Sequence, residues 1–107
     1  MNIRLTARHV DITDDVRNYV ESKAQKLPRF YDRIHDIEVV LDHTSDQFTA
    51  EMIVRVDNKQ VFIASGSGPD TFALVDQIVD KLERQLTKHK EKNRNHKHDG
   101  RPEVPEA

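Results

Sequence analysis

The chain switches its hydrophobic period between two and about 3.6 residues, and this switching restricts the folds that it can adopt. Apolar and polar residues alternate through residues 48–56, the longest such run, and again through residues 2–9 and 37–41. Strict alternation predicts strands with one buried face. Other segments repeat every three or four residues, as amphipathic helices do. The chain is therefore predicted to combine a sheet with helices.

Two segments carry the helical period. The first is marked by the spacing of Val16, Val20, Ala24 and Leu27, with Tyr19 beside them. Thr13 is suited to the N-cap of this helix, and Pro28 is expected to end it near Leu27. The second helix is predicted over residues 71–92, with Asp70 able to cap it. Its apolar stripe consists of Val75, Ile78, Val79, Leu82 and Leu86.

Three consecutive strands are predicted between these helices. The second strand of the chain contains Ile37, Val39 and Leu41, and "RFYDRIHD" before it is interpreted as a connection. The segments "DHTSDQ" and "DNKQ" have the composition of turns. The fourth strand, "VFIAS", is apolar at both parities, and we place Phe62 and Ala64 toward the core. "GSGPD" is then expected to end this strand.

The predicted order is therefore β-α-β-β-β-α, which indicates an α+β fold. Consecutive strands form antiparallel hairpins, whereas a strand that reaches its neighbour through a helix lies parallel to it. We expect a two-layer sandwich, in which two helices cover one face of a four-stranded mixed sheet. Residues 1–95 are predicted to form this single domain. Residues 96–107 have no apolar period and are predicted to form a disordered tail.

Composition excludes several classes of protein. The sequence contains no Cys, which rules out disulfide scaffolds and thiolate metal sites. No apolar run has the length of a membrane span, and the N-terminus lacks the pattern of a signal peptide. We therefore expect a soluble protein that stays where it is made, without a membrane partner. His96, His98 and Asp99 could contact a metal, but chance in a polar tail explains them better.

No catalytic constellation stands out either. There is no paired-acid motif, no nucleophile with its base, and "GSGPD" lacks the Lys and the spacing of a phosphate-binding loop. We predict a non-enzymatic protein without cofactor, metal or small-molecule substrate. Three of the histidines, His9, His35 and His43, fall at strand ends and turns. His89 lies within a basic run and is a candidate for stacking on RNA.

That basic run, "DKLERQLTKHKEK", contains five Lys or Arg residues although the whole chain has a net charge of -2. Lys81, Arg84, Lys88 and Lys92 fall within an arc of roughly 80° on an ideal helix, centred roughly 140° from the apolar stripe. Asp76, Asp80 and Glu83 occupy a third sector. Charges of opposite sign are thus sorted around the helix. A row of cations on a rigid helix suits the close spacing of nucleic acid phosphates.

A simpler interpretation is a solvated helix face stabilised by ion pairs. We expect the basic stripe to lack acidic partners one turn away, which weighs against that interpretation. Lys81 and Arg84 also lie well before the last turn, where the helix dipole favours cations. On the first helix, Lys23 is open to two interpretations. It lies along the apolar edge with its charge in solvent, or it reaches into a groove between the helices.

At these residues the sequence resembles the bacterial ribosome hibernation-promoting factors, also called ribosome-associated translation inhibitors or the sigma-54 modulation protein family. The segments "LTARHVDITDDVRNYVESKAQKL" and "DRIHDIEVVLD" are similar to the opening strand and helix and to the second strand of that family. "DTFALVDQIVDKLERQLTKHKEK" resembles its closing helix and is the most specific match. The resemblance covers roughly residues 1–95. It implies a fold similar to the double-stranded RNA-binding domain.

The resemblance also implies a function. Members of the family bind the small ribosomal subunit and its RNA at the decoding region, along the path of messenger and transfer RNA. It implies an RNA-facing set of Lys81, Arg84, Lys88 and Lys90, with Lys23 and Lys26, and more weakly Arg8, and the basic arc described above adds Lys92. We expect a bacterial cytoplasmic translation inhibitor that is a monomer when free. Two other interpretations remain, namely a general double-stranded RNA-binding module and a protein-interaction domain whose basic helix docks an acidic partner.

Overall fold

The computed structural model describes residues 2–29, 31 and 33–95, with the side chains of all of these except residues 58 and 92–95. The elements are β1 (Asn2–Arg8), α1 (Asp14–Ala24), β2 (Ile34–Thr44), β3 (Gln47–Val56), β4 (Gln60–Gly68) and α2 (Thr71–Asn95). Short 3-10 helices at Leu27–Arg29 and Asp57–Lys59 precede β2 and β4. The predicted β-α-β-β-β-α order is confirmed. The predicted tail, residues 96–107, lies outside the described residues.

The four strands form one mixed sheet in the order β1-β2-β3-β4. β1 pairs with β2 in parallel, and the other two pairs are antiparallel, as the connections predicted. One row across the sheet joins Leu5, Val39, Met52 and Ala64 in register. These residues face the helices, so the sheet presents an apolar surface to the helical layer.

The core lies between that surface and the two helices. All five residues of the predicted α2 stripe are at most 3% exposed, and Leu74 at 1% extends the stripe toward the start of the helix. From α1 and the following turn, Val20, Ala24 and Leu27 are fully buried. Ala64 is buried while Val61 and Ile63 are each 49% exposed, which confirms the inward parity chosen for β4.

Local caps explain where the helices begin. The Thr13 side chain accepts a hydrogen bond from the Val16 amide at 3.2 Å, so Thr13 is the N-cap of α1 as predicted. The Asp70 carboxylate accepts one from the Phe72 amide at 3.0 Å. Within the described part of the chain, neither helix is both long enough and apolar enough to cross a membrane.

Several element ends differ from the sequence prediction. β2 begins at Ile34, with a bulge between Ile34 and Asp36, so the end of "RFYDRIHD" is strand rather than connection. Only Ser45 and Asp46 of "DHTSDQ" form the turn. β4 continues through "GSG" because Gly66 faces the helical layer, where a Cβ atom would meet Leu74 Cδ1 at 3.2 Å.

The two helices differ as well. α1 ends at Ala24, three residues before the predicted end, and the chain reaches Leu27 through a tighter turn. α2 runs to Asn95, beyond the predicted end at Lys92. The longer α2 carries the whole basic run on one continuous helix.

Candidate nucleic-acid interface

The basic run of α2 lies on the solvent side of the helical layer. Leu82 and Leu86 are 0% exposed, and their burial fixes the rotation of the helix about its axis. Lys81, Arg84 and Lys88 are exposed on the other side, as the predicted phase requires. Lys92 lies within the helix, but its side chain is not described. The sorting of apolar and basic residues around α2 is therefore present in the structure.

Lys81 is anchored to the neighbouring edge strand. Its ammonium donates a hydrogen bond to the Ser65 carbonyl at 2.9 Å, and Gln85, one turn later, donates to the Ile63 carbonyl at 3.2 Å. Both carbonyls belong to β4, which is an edge strand of the sheet in the part of the chain that the structure describes. An uncovered edge strand invites pairing with other chains. Lys81 and Gln85 cover this edge, and the Lys81 ammonium retains further N–H donors.

Arg84 corrects one expectation from the sequence. The stripe was expected to lack acidic partners one turn away, yet the Arg84 guanidinium pairs with the Asp80 carboxylate at 2.9 Å. Both side chains are more than half exposed, so this pair contributes little to stability. The pair places the Arg84 guanidinium beside Asp80 on the helix surface.

Lys23 reaches between the two helices, which decides between the two interpretations left open by the sequence. Its ammonium lies 3.3 Å from Asp76 Oδ1 on α2 and 5.4 Å above the centre of the Tyr19 ring. The Tyr19 hydroxyl donates to the same Asp76 oxygen at 2.6 Å. The Tyr19 ring packs edge-on against Phe72 at 5.0 Å between centroids. We call Tyr19, Lys23, Phe72 and Asp76 the interhelical clamp.

The charges of the clamp stabilise one another. The hydrogen bond from Tyr19 lowers the pKa of the Asp76 carboxyl, and Lys23 lowers it further, whereas partial burial opposes both. The same contacts with Asp76 raise the pKa of Lys23 and that of Tyr19. At neutral pH the clamp therefore holds an ionised carboxylate, an ammonium and a neutral phenol.

The predicted binding residues do not all form one row. Lys26 is exposed, and its charge also lowers the pKa of Asp76, so Lys23 and Lys26 gather around that carboxylate. Asp76 lies about 120° around α2 from the centre of the basic stripe, and Lys90 lies about 160° from it. Asp76 and Asp80 thus lie between the basic stripe of α2 on one side and Lys23 and Lys26 on the other. Lys90 lies outside the basic stripe, near the end of α2.

Arg8 lies on the other face of the sheet. Ala7 shares the parity of the inward residues Ile3 and Leu5, so Arg8 points away from the helices, opposite Asp42 in the register. A hydrogen bond with His9 chiefly lowers the pKa of Asp42, and the Arg8 charge adds a smaller effect. The structure therefore does not bring Arg8 together with the lysines and arginine of the helices.

Two other arginines on that open sheet face are paired with acids across the strands. Arg4 and Arg55 both contact the Asp36 carboxylate, at 3.1 Å and 3.0 Å, and Arg55 also contacts Glu38 at 3.3 Å. The rest of this face includes the exposed side chains of Val61 and Ile63. Cations on this face alternate with acids and do not form a row.

The four histidines that the structure describes do not form a site. His89 is half-buried and packs edge-on against Tyr31 and Phe62, so its ring faces the domain and does not stack outward as one interpretation had it. His9 and His35 pair with Asp42 and Asp57. Among the residues that the structure describes, no three His, Asp or Glu side chains are grouped to hold a metal. His96 and His98 lie outside the described residues.

A family model matches nearly all of the described part of the chain. It covers residues 3–94 and is described as sigma 54 modulation protein / S30EA ribosomal protein. The match includes every strand, both clamp helices and the basic run of α2. It confirms the resemblance on which the predicted binding residues were chosen.

Individual relatives indicate the same family as the family model does. The ribosome hibernation promoting factor of Escherichia coli K12 is 38% identical over 96 residues, which span 90% of this chain and all of that protein. The factor of the same name from Azotobacter vinelandii is 36% identical over 86% of this chain and 85% of its own length. Both share enough sequence over enough length to establish a common family.

Solved structures support the same fold. The N-terminal domain of Protein Y from Thermus thermophilus superposes with a TM-score of 0.76 at 33% identity, covering 83% of this chain and 99% of that one. A ribosomal subunit interface protein from Coxiella burnetii gives a TM-score of 0.75 at 28% identity, covering 85% and 99%. The mixed sheet with two helices on one face is thus an arrangement that these proteins share.

Proposed function

Because the chain belongs to the sigma 54 modulation protein / S30EA ribosomal protein family, we propose that it is a ribosome hibernation factor that binds the small ribosomal subunit. Binding there would place it in the decoding region, where it would occupy the path of messenger and transfer RNA. Inhibition of translation would then follow from occupancy, without catalysis. The place of action would be the bacterial cytoplasm, and the free protein would be a monomer.

The observation that carries this proposal is the row of cations on α2. Lys81, Arg84 and Lys88 lie on one side of a helix whose rotation is fixed by fully buried leucines. Phosphates along an RNA strand repeat at short intervals, and cations on a rigid element can meet several of them at once. Contacts of this kind follow the shape of the RNA backbone and carry little sequence information.

The remaining cations extend the proposed surface. Lys23 comes from α1 and Lys26 from the turn that follows it, and Asp76 and Asp80 lie between them and the basic stripe of α2, so positive charge would face the RNA on both sides of these acids. Lys90 and Lys92 would add contacts near the end of α2. Arg8 lies on the opposite face of the sheet, so the proposed RNA-binding surface does not include it.

Co-sedimentation in sucrose gradients tests the proposal. The purified protein is mixed in turn with small subunits, large subunits and a free RNA duplex of equal nucleotide concentration. We expect it to sediment with the small subunit, to compete with messenger RNA for that subunit, and to inhibit cell-free translation. Equal binding to free duplex would favour a general double-stranded RNA-binding module. Binding that survives ribonuclease digestion would favour a protein-interaction domain, and absence from all fractions would refute the proposal.

A further inference from the structure

Asp76 is placed where an RNA-binding surface should disfavour an acid. It lies on α2 beside Lys23 and Lys26, and its side chain is 48% exposed. A carboxylate at such a position repels phosphates within the screening distance of about 8–10 Å at physiological salt. Its presence among proposed RNA-binding cations therefore requires a favourable contribution to RNA binding that offsets this repulsion.

The contacts of Asp76 identify that contribution. One oxygen, Oδ1, accepts the Tyr19 hydroxyl at 2.6 Å and lies 3.3 Å from the Lys23 ammonium. The Lys23 side chain is only 28% exposed, whereas a free lysine on a helix surface samples many rotamers in water. Asp76 and the Tyr19 ring together hold the ammonium in the groove between α1 and α2.

Holding Lys23 in this way would lower the entropic cost of binding. Fixing one rotamer-rich side chain on association costs about 0.5–1.5 kcal/mol, and a side chain that is already ordered avoids that cost. The Lys23 ammonium has three N–H donors, so contact with Asp76 leaves donors for an incoming phosphate oxygen.

We propose that Asp76 is a positioning residue, which holds Lys23 between the helices in the orientation that contacts an RNA phosphate. This inference rests on the proposed function, because it assigns a role within the same RNA-binding surface. It also makes an unusual prediction about sign. Removal of a negative charge normally strengthens binding to RNA, whereas removal of the Asp76 charge should weaken it.

The test compares two variants that remove one negative charge each from α2. Asp76→Asn disrupts the ion pair with Lys23, and we expect about two- to tenfold weaker co-sedimentation with small subunits. Glu91→Gln removes an exposed carboxylate outside the clamp, between Lys90 and Lys92 near the end of the basic run, and should bind as tightly as wild type or more tightly. Thermal unfolding of both variants establishes that the fold is retained.

A double-mutant cycle shows whether Asp76 acts through Lys23. In a Lys23→Met background, Asp76→Asn has no ammonium to release, so the same substitution should no longer weaken binding and should strengthen it slightly. A contribution of Asp76 to folding alone would weaken binding equally in both backgrounds. If Asp76→Asn alone fails to fold, Tyr19→Phe removes one oxygen atom of the clamp and should give a smaller loss that also disappears in the Lys23→Met background.

The outcomes separate the two proposals. If wild type binds small subunits and Asp76→Asn binds them equally or more tightly, the positioning role is overturned and the proposed function is retained. Wild type that does not bind small subunits would overturn both. Both proposals are supported if Asp76→Asn weakens binding to small subunits, if this weakening is absent in the Lys23→Met background, and if Glu91→Gln binds as tightly as wild type.

Discussion

The helical layer and the open face of the sheet both carry cations, but they arrange them differently. On the sheet, Arg4 and Arg55 converge on the Asp36 carboxylate from either side, so positive and negative groups alternate across neighbouring strands. On α2, Lys81, Arg84 and Lys88 follow one another along one side of the helix. A polyanion approaching the sheet meets cations that alternate with acids, whereas one approaching α2 meets three successive cations, of which Arg84 is paired with Asp80. The arrangement of charges, more than their number, distinguishes the two surfaces.

The two surfaces also differ in what lies beneath them. Under the cations of α2 is the core, because Leu82 and Leu86 are fully buried on the opposite side of the same helix. On the open face, Val61 and Ile63 are each 49% exposed, and none of the described elements packs over them as a second layer. We therefore expect substitutions under the helical surface to affect folding strongly, and substitutions on the open face to affect it weakly.

The largest expected effect is that of Leu82→Ala. Removal of a fully buried leucine side chain should lower the free energy of unfolding by about 2–5 kcal/mol, because transfer energy is lost and a cavity remains. Ile63→Ala on the open face should change it by about 0.5 kcal/mol or less. Denaturant unfolding of both variants makes the comparison. Equal losses would show that the two surfaces do not differ as described.

A smaller effect is expected from the ion pairs of the open face. Arg55→Gln removes the contacts with Asp36 and Glu38, which are partly exposed, and should cost less than about 1 kcal/mol. Ribosome binding should not change, because Arg55 lies on the open face of the sheet, outside the proposed RNA-binding surface. Binding that weakened as much as in a variant of the α2 row would mean that the sheet face also contacts RNA.

The smallest expected effect concerns two carboxylates, one from each layer. The hydrogen bond from Tyr19 is the main cause of the lowered pKa of Asp76, so Tyr19→Phe should move that pKa back toward the usual aspartate value. The pKa of Asp42, which is lowered chiefly by His9, should not move. Carboxyl chemical shifts in an NMR titration measure both. A shift confined to Asp42, or none at Asp76, would contradict the assigned cause.

The lowered pKa of Asp76 also determines how stability depends on pH. A carboxyl group whose pKa is lower in the folded state stabilises that state fully above its unfolded pKa of 3.8, and this contribution disappears as pH falls through the folded value. Asp76 should therefore contribute to stability throughout the neutral range. In Tyr19→Phe, part of this contribution should be missing in that range, and the loss of stability on acidification should be smaller.

Much of the fold could be predicted because the hydrophobic period changes cleanly between strands and helices. The burial of Val79 and Leu82, and with it the rotation of α2, follows from spacing alone. The extension of β4 through Gly66 could not be predicted in the same way, because it depends on the close approach of Leu74 from a helix that follows in sequence. Turn composition argued for a break where packing favours a longer strand.

The candidate surface was only partly predictable, and two signals were available in the sequence. Asp80 precedes Arg84 by four residues, a spacing that permits an ion pair on any helix. Arg8 has the parity opposite to that of Ile3 and Leu5, so alternation alone places it on the open face. By contrast, the clamp between Lys23 and Asp76 joins residues from two helices, and no local pattern specifies which acid meets which lysine.

The proposed function requires that the cations of α2, and not those of the open sheet face, bind ribosomal RNA. Two triple variants remove the same charge, Lys81→Ala/Arg84→Ala/Lys88→Ala from α2 and Arg4→Ala/Arg8→Ala/Arg55→Ala from the sheet. Alanine suits the exposed positions of α2, so folding should survive there, and thermal unfolding checks both variants. The measurement is co-sedimentation with small subunits across a series of salt concentrations.

The α2 variant should bind far more weakly than wild type. The slope of log affinity against log salt should also become flatter by up to about 2–3, because the variant makes fewer phosphate contacts and its binding therefore releases fewer counterions from the RNA. The sheet variant should keep both the affinity and the slope of wild type. A folded α2 variant with unchanged affinity and slope would contradict this assignment of the RNA-binding surface. A folded sheet variant that loses as much affinity as the α2 variant would contradict it as well.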